Sequence, residues 1–438
     1  MTPLKDRLGL ALSGGGYRAA AFHLGTLNKL HELGILDKVD VMSTISGGSI
    51  TGATWCLYNG DYPSFHKEMA TKLATKSVIR FILGSWIFFR TLIFILLFIG
   101  GAVALSFTSL AHLTFPVLLL FMVLLYFFQF RIFPVSRVIE KAYNKYFFHN
   151  KTLSQLKERP LLAIGSSNLH SGRPFTFSKN KMADSSYTFR QEYNPPIKFK
   201  HQNFPVARAV VASSCVPFAF TPITISKEFF EVAGDFDRIK PVLVDGGVYD
   251  NQGIQKLTQP KSSYECGIII TSDAGGNFIA DEKYPNTLQL LLRTVNLFMY
   301  RIKAAQMVQN IYRKLLGGAK PIAYFSLGWE IKNAIPGFFR NMCDGQVIQE
   351  VVDAHRFNPD WINNPKAHER EIIQHLEARV GYAAIAKRDL ENAEWNTARK
   401  TGTNLTALSP KRLSLLVRHA ENLTELQVKL YCPSLIQN

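Results

Sequence analysis

The sequence is poor in acidic residues and in cysteine. Its 438 residues include 33 Asp and Glu against 50 Lys and Arg, which leaves a formal net charge of +17. The five cysteines are widely spaced and no Cys-x-x-Cys occurs, so neither a disulfide framework nor a zinc site is indicated. A reducing compartment fits this pattern. We expect no metal and no cofactor.

Charged residues are also missing from a long internal stretch. Residues 91–130 contain no Asp, Glu, Lys or Arg, and Arg90 and Arg131 bound them. Because one membrane crossing needs about 20 apolar residues, this stretch predicts a hairpin of two crossings with a turn near Ser109 and Pro116. The second arm is short, so a re-entrant or interfacial hairpin stays open. A soluble apolar lid is the further alternative.

Three consecutive glycines follow an apolar, strand-like run in "LALSGGGYRAAAFHLGTL", and a helix-like run follows them. Backbone N–H groups at a helix start bind anions. Gly14, Gly16 and Ala19 also fit the dinucleotide pattern G-x-G-x-x-G/A, which needs an acidic residue at the end of the next strand. That acid is absent, and no Gly-Lys-Ser/Thr follows the glycines. The anion is therefore better explained as a transient oxyanion.

The next strand-like run, in "VDVMSTISGGSITGATW", ends at Ser46 and is followed by Gly47, Gly48 and a helix of small residues. This is the pattern of a nucleophile elbow, a sharp turn that lifts a serine hydroxyl above the edge of a sheet. Thr44 stands where the elbow pattern has its first glycine. The two glycine motifs together indicate acyl transfer.

These motifs resemble those of the patatin-like phospholipases. The resemblance rests on the loop 14–18, the elbow 44–48, the Asp-Gly-Gly at 245–247 and the segment "ASSCVPFAFTP" at 212–222, within residues 8–275. It implies a three-layer α/β hydrolase with a mostly parallel central sheet and a Ser–Asp dyad without histidine. The predicted site residues are the nucleophile Ser46, the base Asp245, the oxyanion-hole glycines Gly14, Gly15 and Gly16, and the supporting residues Arg18, Gly47, Gly48, Gly246 and Gly247.

A serine nucleophile needs a base to take its proton. Asp245 ends the strand-like run "PVLVDGG" and is the predicted base, although an Asp-Gly pair can also simply start a turn. Asp273, in "IIITSDAGG", is the rival. His23 and His31 lie on the first predicted helix, where we expect surface or core-edge roles. Arg18 is unfavourable at a helix start, so we expect it to pair with an acid, or else to contact a lipid phosphate.

The motifs divide the chain into four predicted parts. Residues 1–78 and 136–285 form the catalytic domain, 79–135 the hydrophobic hairpin and 286–438 a mainly helical C-terminal portion. Within the last part we expect a helix over residues 287–316 that stops at Gly317-Gly318, a strand at "AYFSL" and a terminal helix starting near Ser409-Pro410. Residues 79–89 either lie at the membrane interface or begin the first crossing.

The topology follows from the position of the hairpin. Ser46 precedes it and Asp245 follows it, so the number of crossings must be even if one active site uses both. Residues 131–208 carry 14 Lys and Arg against 4 Asp and Glu. Positive segments stay on the cytoplasmic side, so we expect a cytoplasmic catalytic body on a membrane with anionic headgroups. The early first strand argues against a cleaved signal peptide, and no motif for nucleic acid is found.

The resulting prediction is a lipid acyl hydrolase of phospholipase A or lysophospholipase type that works through an acyl-serine intermediate. Its partner is the membrane lipid substrate. The alternatives are a triacylglycerol or other ester or thioester hydrolase, and a catalytically weak, lipid-binding membrane scaffold.

Overall fold

The computed structural model describes residues 2–275, 286–309 and 320–436. Its strands are β1 Leu8–Leu12, β2 Val41–Ile45, β3 Leu161–Asn168, β4 Arg173–Phe177, β5 Met182–Asp184, β6 Ile223–Thr224, β7 Val242–Asp245, β8 Ile268–Asp273 and β9 Ile322–Ser326. Its α-helices are α1 Gly16–Glu32, α2 Gly47–Leu57, α3 Tyr62–Thr75, α4 Val78–Leu83, α5 Trp86–Ser106, α6 Thr114–Ile132, α7 Val135–Tyr143, α8 Ser185–Phe189, α9 Val206–Ser213, α10 Asp235–Arg238, α11 Gly247–Asp250, α12 Ile254–Thr258, α13 Thr287–Met307, α14 Ala334–Cys343, α15 Gln349–Ala354, α16 Pro359–Asn363, α17 Glu369–Val380, α18 Tyr382–Ala386, α19 Asn392–Arg399 and α20 Pro410–Tyr431.

The strands form one sheet with the order β5-β4-β3-β2-β1-β8-β9, and β7 and β6 join it beside β3. The five strands β3, β2, β1, β8 and β9 are parallel to one another. Every residue of β1 and β2 is buried, as expected for strands covered by helices on both faces. The predicted α/β class with a mostly parallel central sheet is confirmed.

Helices cover both faces of this sheet. Successive side chains of a strand point to opposite faces, so one strand contributes to two cores. Leu10 and Leu12 of β1 belong to a large core that includes α1 and α20, whereas Ala11 belongs to a smaller core that includes α12. Helices α1 and α20 approach closely at Gly25, where an added Cβ would lie 2.3 Å from the Val417 carbonyl oxygen.

Strand β7 runs in the direction opposite to the five parallel strands. It pairs antiparallel with β3 on the same edge as β2: Ile45 pairs with Gly165, and Asp245 pairs with the adjacent Ser166. The ends of β2 and β7 therefore point toward each other. This end-to-end meeting brings Ser46 and Asp245 together.

The C-terminal portion is tied into the catalytic body. Strand β9 confirms the strand predicted at "AYFSL" and pairs with β8, and α20 begins at Pro410 with Ser409 as its N-cap, as predicted. Helix α13 begins at Thr287 as predicted, but Gly317-Gly318 lies outside the described residues. The four-part division of the chain stays a prediction.

The hydrophobic segment is a helical hairpin of α5 and α6 with a turn at 107–113. Trp86–Ser106 and the helical stretch Ala111–Phe148 are long and apolar enough to cross a membrane by length and composition alone. They are weak evidence for membrane association. In α5 and α6 the buried residues are Ala102 and Phe121. At the base, Arg90 donates hydrogen bonds to the carbonyls of Ile132 at 2.5 Å and Arg131 at 3.3 Å, which holds the two arms together.

Candidate active site

Ser46 occupies a sharp turn between β2 and α2. Its backbone has φ 47° and ψ −117°, a combination that non-glycine residues rarely adopt, and the residue is buried. The following glycines allow the turn to pass close to the first glycine loop. An added Cβ on Gly47 would lie 2.1 Å from Gly16 O, and one on Gly48 would lie 2.4 Å from Leu12 O.

Asp245 is buried next to Ser46. Its Oδ1 accepts a hydrogen bond from the Gly247 N–H at 2.7 Å. Burial raises the pKa of the Asp245 carboxyl to about 7, while hydrogen bonds from the Gly247 amide and the Ser46 hydroxyl favour its ionised form. The structure thus places the predicted nucleophile and the predicted base in the wall of one cavity, where burial raises the pKa of the carboxyl toward neutral pH.

The backbone N–H groups of the three consecutive glycines differ in their hydrogen bonding. The Gly14 N–H donates to the Asn251 carbonyl at 3.0 Å, which corrects our expectation that all three amides are free for an oxyanion. Within the described residues, the N–H groups of Gly15, Gly16 and Gly47 have no hydrogen-bond partner. Gly15 and Gly16 have φ values of 138° and 57°, which favour glycine.

Ser213 supports the elbow and was not singled out from the sequence. Its Oγ accepts a hydrogen bond from the Ser46 N–H at 2.9 Å and donates one to Gly165 O at 2.6 Å. The same carbonyl faces Gly246, where an added Cβ would lie 2.4 Å from it. Ser213 belongs to the segment 212–222 noted above, but its role depends on contacts with distant residues.

Among the described residues, Arg18 forms no salt bridge with an acid, which differs from our expectation. Its guanidinium donates to the carbonyl of Thr401 at 3.2 Å, more than 380 residues away in the sequence. Burial lowers the Arg18 pKa to about 10, and the negative charge of Asp273 opposes this shift. The arginine braces the glycine loop against the C-terminal portion.

Asp273, the rival base, is held in a different network. Its Oδ2 accepts hydrogen bonds from Lys303 Nζ at 2.5 Å and Tyr324 Oη at 2.6 Å. Burial raises the Asp273 pKa, but Lys303 and the hydrogen bonds outweigh this effect and hold it at about 2. A carboxylate paired so strongly is a weak proton acceptor.

His23 is fully buried, which corrects the expected surface or core-edge position. Its Nε2 lies 2.9 Å from Ser13 O and its Nδ1 lies 2.9 Å from Ser272 Oγ. Burial lowers its pKa to about 4. Among the described residues, no histidine lines the cavity around Ser46.

That cavity has a volume of about 490 Å³ and contains Ser46, Asp245 and the three glycines. Its other walls are mainly apolar and come from α4, α7, α13, segment 216–220 and residues 403–405. Helix α4 precedes the hairpin and α7 follows it, so both ends of the hairpin lead into the cavity walls. A mostly apolar cavity with a few polar groups suits an acyl chain that carries one reactive ester.

A serine on a sharp strand–helix turn, beside a buried carboxylate and unpaired backbone amides, is the arrangement of α/β serine hydrolases. The chain belongs to the patatin-like phospholipase family, since the patatin-like phospholipase model matches residues 10–257, more than half of its length. This membership places the chain among lipid hydrolases. Among curated proteins no match was found.

Several solved structures are similar to this chain. VipD from Legionella pneumophila shares 12% identity, with 91% of this chain and 83% of VipD covered and a TM-score of 0.32. Human GIVD cytosolic phospholipase A2 shares 13% identity, with 99% and 62% covered and a TM-score of 0.47. ExoU from Pseudomonas aeruginosa, in complex with SpcU, shares 14% identity, with 97% and 70% covered and a TM-score of 0.24. The chain thus spans less than two thirds of the human phospholipase.

Proposed function

We propose that this protein is a phospholipase A or lysophospholipase that uses Ser46 as nucleophile and Asp245 as general base. The observation that carries the proposal is that Ser46 lines the same cavity as a buried carboxyl, that of Asp245, whose pKa is about 7 and whose ionised form the Ser46 hydroxyl favours. A base with a pKa near the working pH combines a useful ionised fraction with real proton affinity. Family membership supports a lipid substrate.

In the acylation step, Ser46 Oγ attacks the carbonyl carbon of a fatty-acyl ester and its proton passes to Asp245. The tetrahedral oxyanion receives hydrogen bonds from the amides of Gly15, Gly16 and Gly47. Removing one such donor typically costs about 2.7–4 kcal/mol of activation free energy. The intermediate collapses when the C–O bond breaks and Asp245 returns the proton to the leaving alcohol, which leaves an acyl ester on Ser46.

In the deacylation step, Asp245 takes a proton from water, and the resulting nucleophile attacks the acyl-Ser46 carbonyl. The same amides bind the second oxyanion. Collapse releases the fatty acid and returns the proton to Ser46. The two steps reuse one base, and each proton removed is given back.

We also propose that the hairpin of α5 and α6 inserts into a bilayer and keeps the catalytic body on the cytoplasmic side. The exposed apolar surface of both helices and the basic flanks at Arg90 and Arg131 support this part of the proposal. Because α4 and α7 extend from the hairpin into the cavity walls, an inserted hairpin brings the cavity to the lipid surface.

The test is mass spectrometry of a mixed membrane lipid extract after incubation with purified protein. Wild type should release fatty acid and lysophospholipid or glycerophospho products, and Ser46→Ala should release none while still binding membranes. Ser49→Ala, which removes a neighbouring hydroxyl, is the matched control and should keep its activity within about tenfold. Normal turnover by Ser46→Ala would remove Ser46 from the mechanism, and loss only in Ser49→Ala would move the nucleophile there.

A further inference from the structure

A second cavity, of about 570 Å³, lies where the hairpin joins the catalytic body. Phe130 and Arg131 at the end of α6, Arg137 and Lys141 of α7, and Arg208 of α9 contribute to its wall. It shares no lining residue with the substrate cavity. We call it the hairpin-base cavity.

The hairpin-base cavity carries an excess of positive charge. Its carboxylate, Glu140, accepts hydrogen bonds from Arg208 Nε at 3.1 and 3.2 Å and so neutralises that arginine. Arg131, Arg137 and Lys141 are exposed and form no ion pair within the part of the chain that the structure describes. Three cations therefore line the cavity without a counter-ion from any residue that the structure describes.

The chain places this cavity at the boundary between apolar and charged sequence. Phe130 is the last residue of the charge-free stretch, and Arg131 is the first cation after it. With the hairpin inserted as proposed above, on which this step rests, the cavity lies at the depth of the lipid headgroups. Anionic lipids at that depth attract basic side chains.

The neutral donors of the cavity complete a phosphate-binding set. Asn144, Thr224 and Ser226 line it together with the cations, and guanidinium, ammonium and hydroxyl groups all donate hydrogen bonds to phosphate oxygens. The volume falls within the range of ligand pockets, about 300–1,000 Å³, so it accommodates more than a single phosphate. A phosphate monoester carries about −1.5 to −2 charge at neutral pH, which suits three uncompensated cations.

We propose that the hairpin-base cavity binds the headgroup of an anionic phospholipid that carries a phosphate monoester, such as phosphatidic acid or an inositol lipid phosphorylated on its ring. Helix α7 connects this cavity to the substrate cavity, because Val135 and Ile139 on its other side line the latter. In addition, Ser136 Oγ donates to the Thr221 carbonyl at 2.5 Å, and Thr221 lines the hairpin-base cavity. A bound headgroup thus orients the catalytic body on the bilayer and holds one wall of the substrate cavity.

The experiment measures binding of fluorescent phosphatidic acid to the full chain in neutral detergent. It uses Ser46→Ala protein so that the proposed reaction does not consume the lipid, and intact probe is confirmed by mass spectrometry after the measurement, which keeps the binding result separate from the catalytic proposal. We expect saturable binding, at least about tenfold weaker in the double variant Arg137→Gln/Lys141→Gln. The control Lys67→Gln/Lys76→Gln removes the same charge from exposed positions outside both cavities and should bind like the parent.

Competition identifies the source of the phosphate. Unlabelled phosphatidic acid or a phosphorylated inositol lipid should displace the probe, whereas phosphatidylserine, phosphatidylcholine and inorganic phosphate at equal concentration should not. Equal loss of binding in both double variants would show general charge attraction and overturn the proposal. Displacement by inorganic phosphate would make this a site for the free anion. If the first double variant melts at a lower temperature, Arg137→Gln and Lys141→Gln are measured singly, and unchanged binding in both would also overturn the proposal.

Discussion

Ser46 and Asp245 each sit in a state that is unfavourable outside this fold. The positive φ of Ser46 costs about 1–3 kcal/mol, and Asp245 is a carboxyl buried to 5% exposure with no cationic partner among the described residues. Such unfavourable conformations and buried groups are retained because many surrounding contacts stabilise the fold that contains them. They also make activity and stability respond in opposite directions to substitution.

The first prediction compares Asp245→Asn with Asp273→Asn at pH 8. The folded-state pKa of Asp245 is about 7, against an ordinary value of 3.8, so ionised Asp245 lowers the free energy of unfolding as the pH rises from about 4 to about 7. Asn removes that penalty, so Asp245→Asn should raise the melting temperature at pH 8 while activity falls by at least about 10²–10⁴-fold.

Asp273→Asn should behave in the opposite way. The folded-state pKa of Asp273 is about 2, so its stabilising effect is present above about pH 4 and is lost as the pH falls toward 2. In this variant the ammonium group of Lys303 no longer has the Asp273 carboxylate as its ion-pair partner. We therefore expect the free energy of unfolding to fall by about 3 kcal/mol at pH 8. Thermal melts and a soluble-ester assay measure both effects. A destabilised, fully active Asp245→Asn would contradict the assignment of the base.

The second prediction concerns the pH dependence of the wild-type enzyme. A base must be deprotonated to accept the Ser46 proton, so kcat/KM on a soluble, non-ionising ester should fall about tenfold per pH unit below about 7 and level off above it. The rate of labelling by a fluorophosphonate should follow the same curve. His23, with a pKa of about 4, cannot produce this inflection, and a profile flat from pH 5 to 9 would argue against Asp245.

The hairpin is the element whose role is easiest to separate from the catalytic body. Its arms leave and re-enter the body at almost the same place, because Arg90 bonds the carbonyl of Ile132 at 2.5 Å. A short linker can therefore replace residues 91–130 without moving the elements on either side. Phe94 and Phe98 of α5 pack on Phe121 of α6, so the internal contacts of the hairpin are lost together with it.

The third prediction is that replacing residues 91–130 by a short Gly/Ser linker releases the protein from membranes. Full-length protein should resist high salt and alkaline carbonate but dissolve in detergent, since 1 M salt reduces the Debye length to about 3 Å and releases purely electrostatic docking. The shortened chain should still react with a fluorophosphonate. Its hydrolysis of bilayer lipid should fall more than its hydrolysis of a soluble ester. Unchanged membrane binding together with lost soluble-ester activity would make the hairpin a structural part of the body.

At the scale of the whole molecule, the C-terminal portion completes the site. The Tyr17 N–H donates to Asn404 O at 3.1 Å, and residues 403–405 line the substrate cavity. These residues lie beyond the matched family region 10–257. The glycine loop is thus held between the nucleophile elbow on one side and a segment from the end of the chain on the other.

The fourth prediction tests this packing with Gly16→Ala. An added Cβ would lie 2.1 Å from Thr403 O and 2.7 Å from Asn404 O, at a φ of 57°, so the C-terminal segment must move away. We expect fluorophosphonate labelling to fall at least about 100-fold. Gly172→Ala is the control, because Gly172 has a similar φ of 68° and nothing within 4 Å of the added Cβ. It should cost about 1 kcal/mol of stability and leave labelling unchanged. Equal loss in both variants would mean that backbone strain, and not the C-terminal contact, is responsible.

The sequence by itself determined the features that are encoded locally. The turn at Ser46 and the glycine loop appear as glycine spacing because positive φ and close backbone approach require missing side chains. The hairpin appears in the sequence as 40 residues without charge. A helix that is apolar on every face can be predicted from its own residues, without knowing what it packs against. The α/β class was implied by the resemblance of these motifs to the patatin-like phospholipases, and the start of helix α20 was predicted from Ser409-Pro410.

The tertiary structure decided what depends on residues far apart in the chain. The reversed direction of β7, the pairing of the Gly14 amide with Asn251, the burial of His23 and the support of Arg18 by Thr401 leave no local trace. Each of these features depends on a residue or strand far away in the sequence, which pairs with a buried polar group or occupies a sheet edge. The same local sequence pattern is compatible with several such partners. The role that we propose for Asp245 depends on the same cause: Asp-Gly-Gly predicts a turn, but only the meeting of β2 and β7 beside Gly165 brings that carboxyl to Ser46.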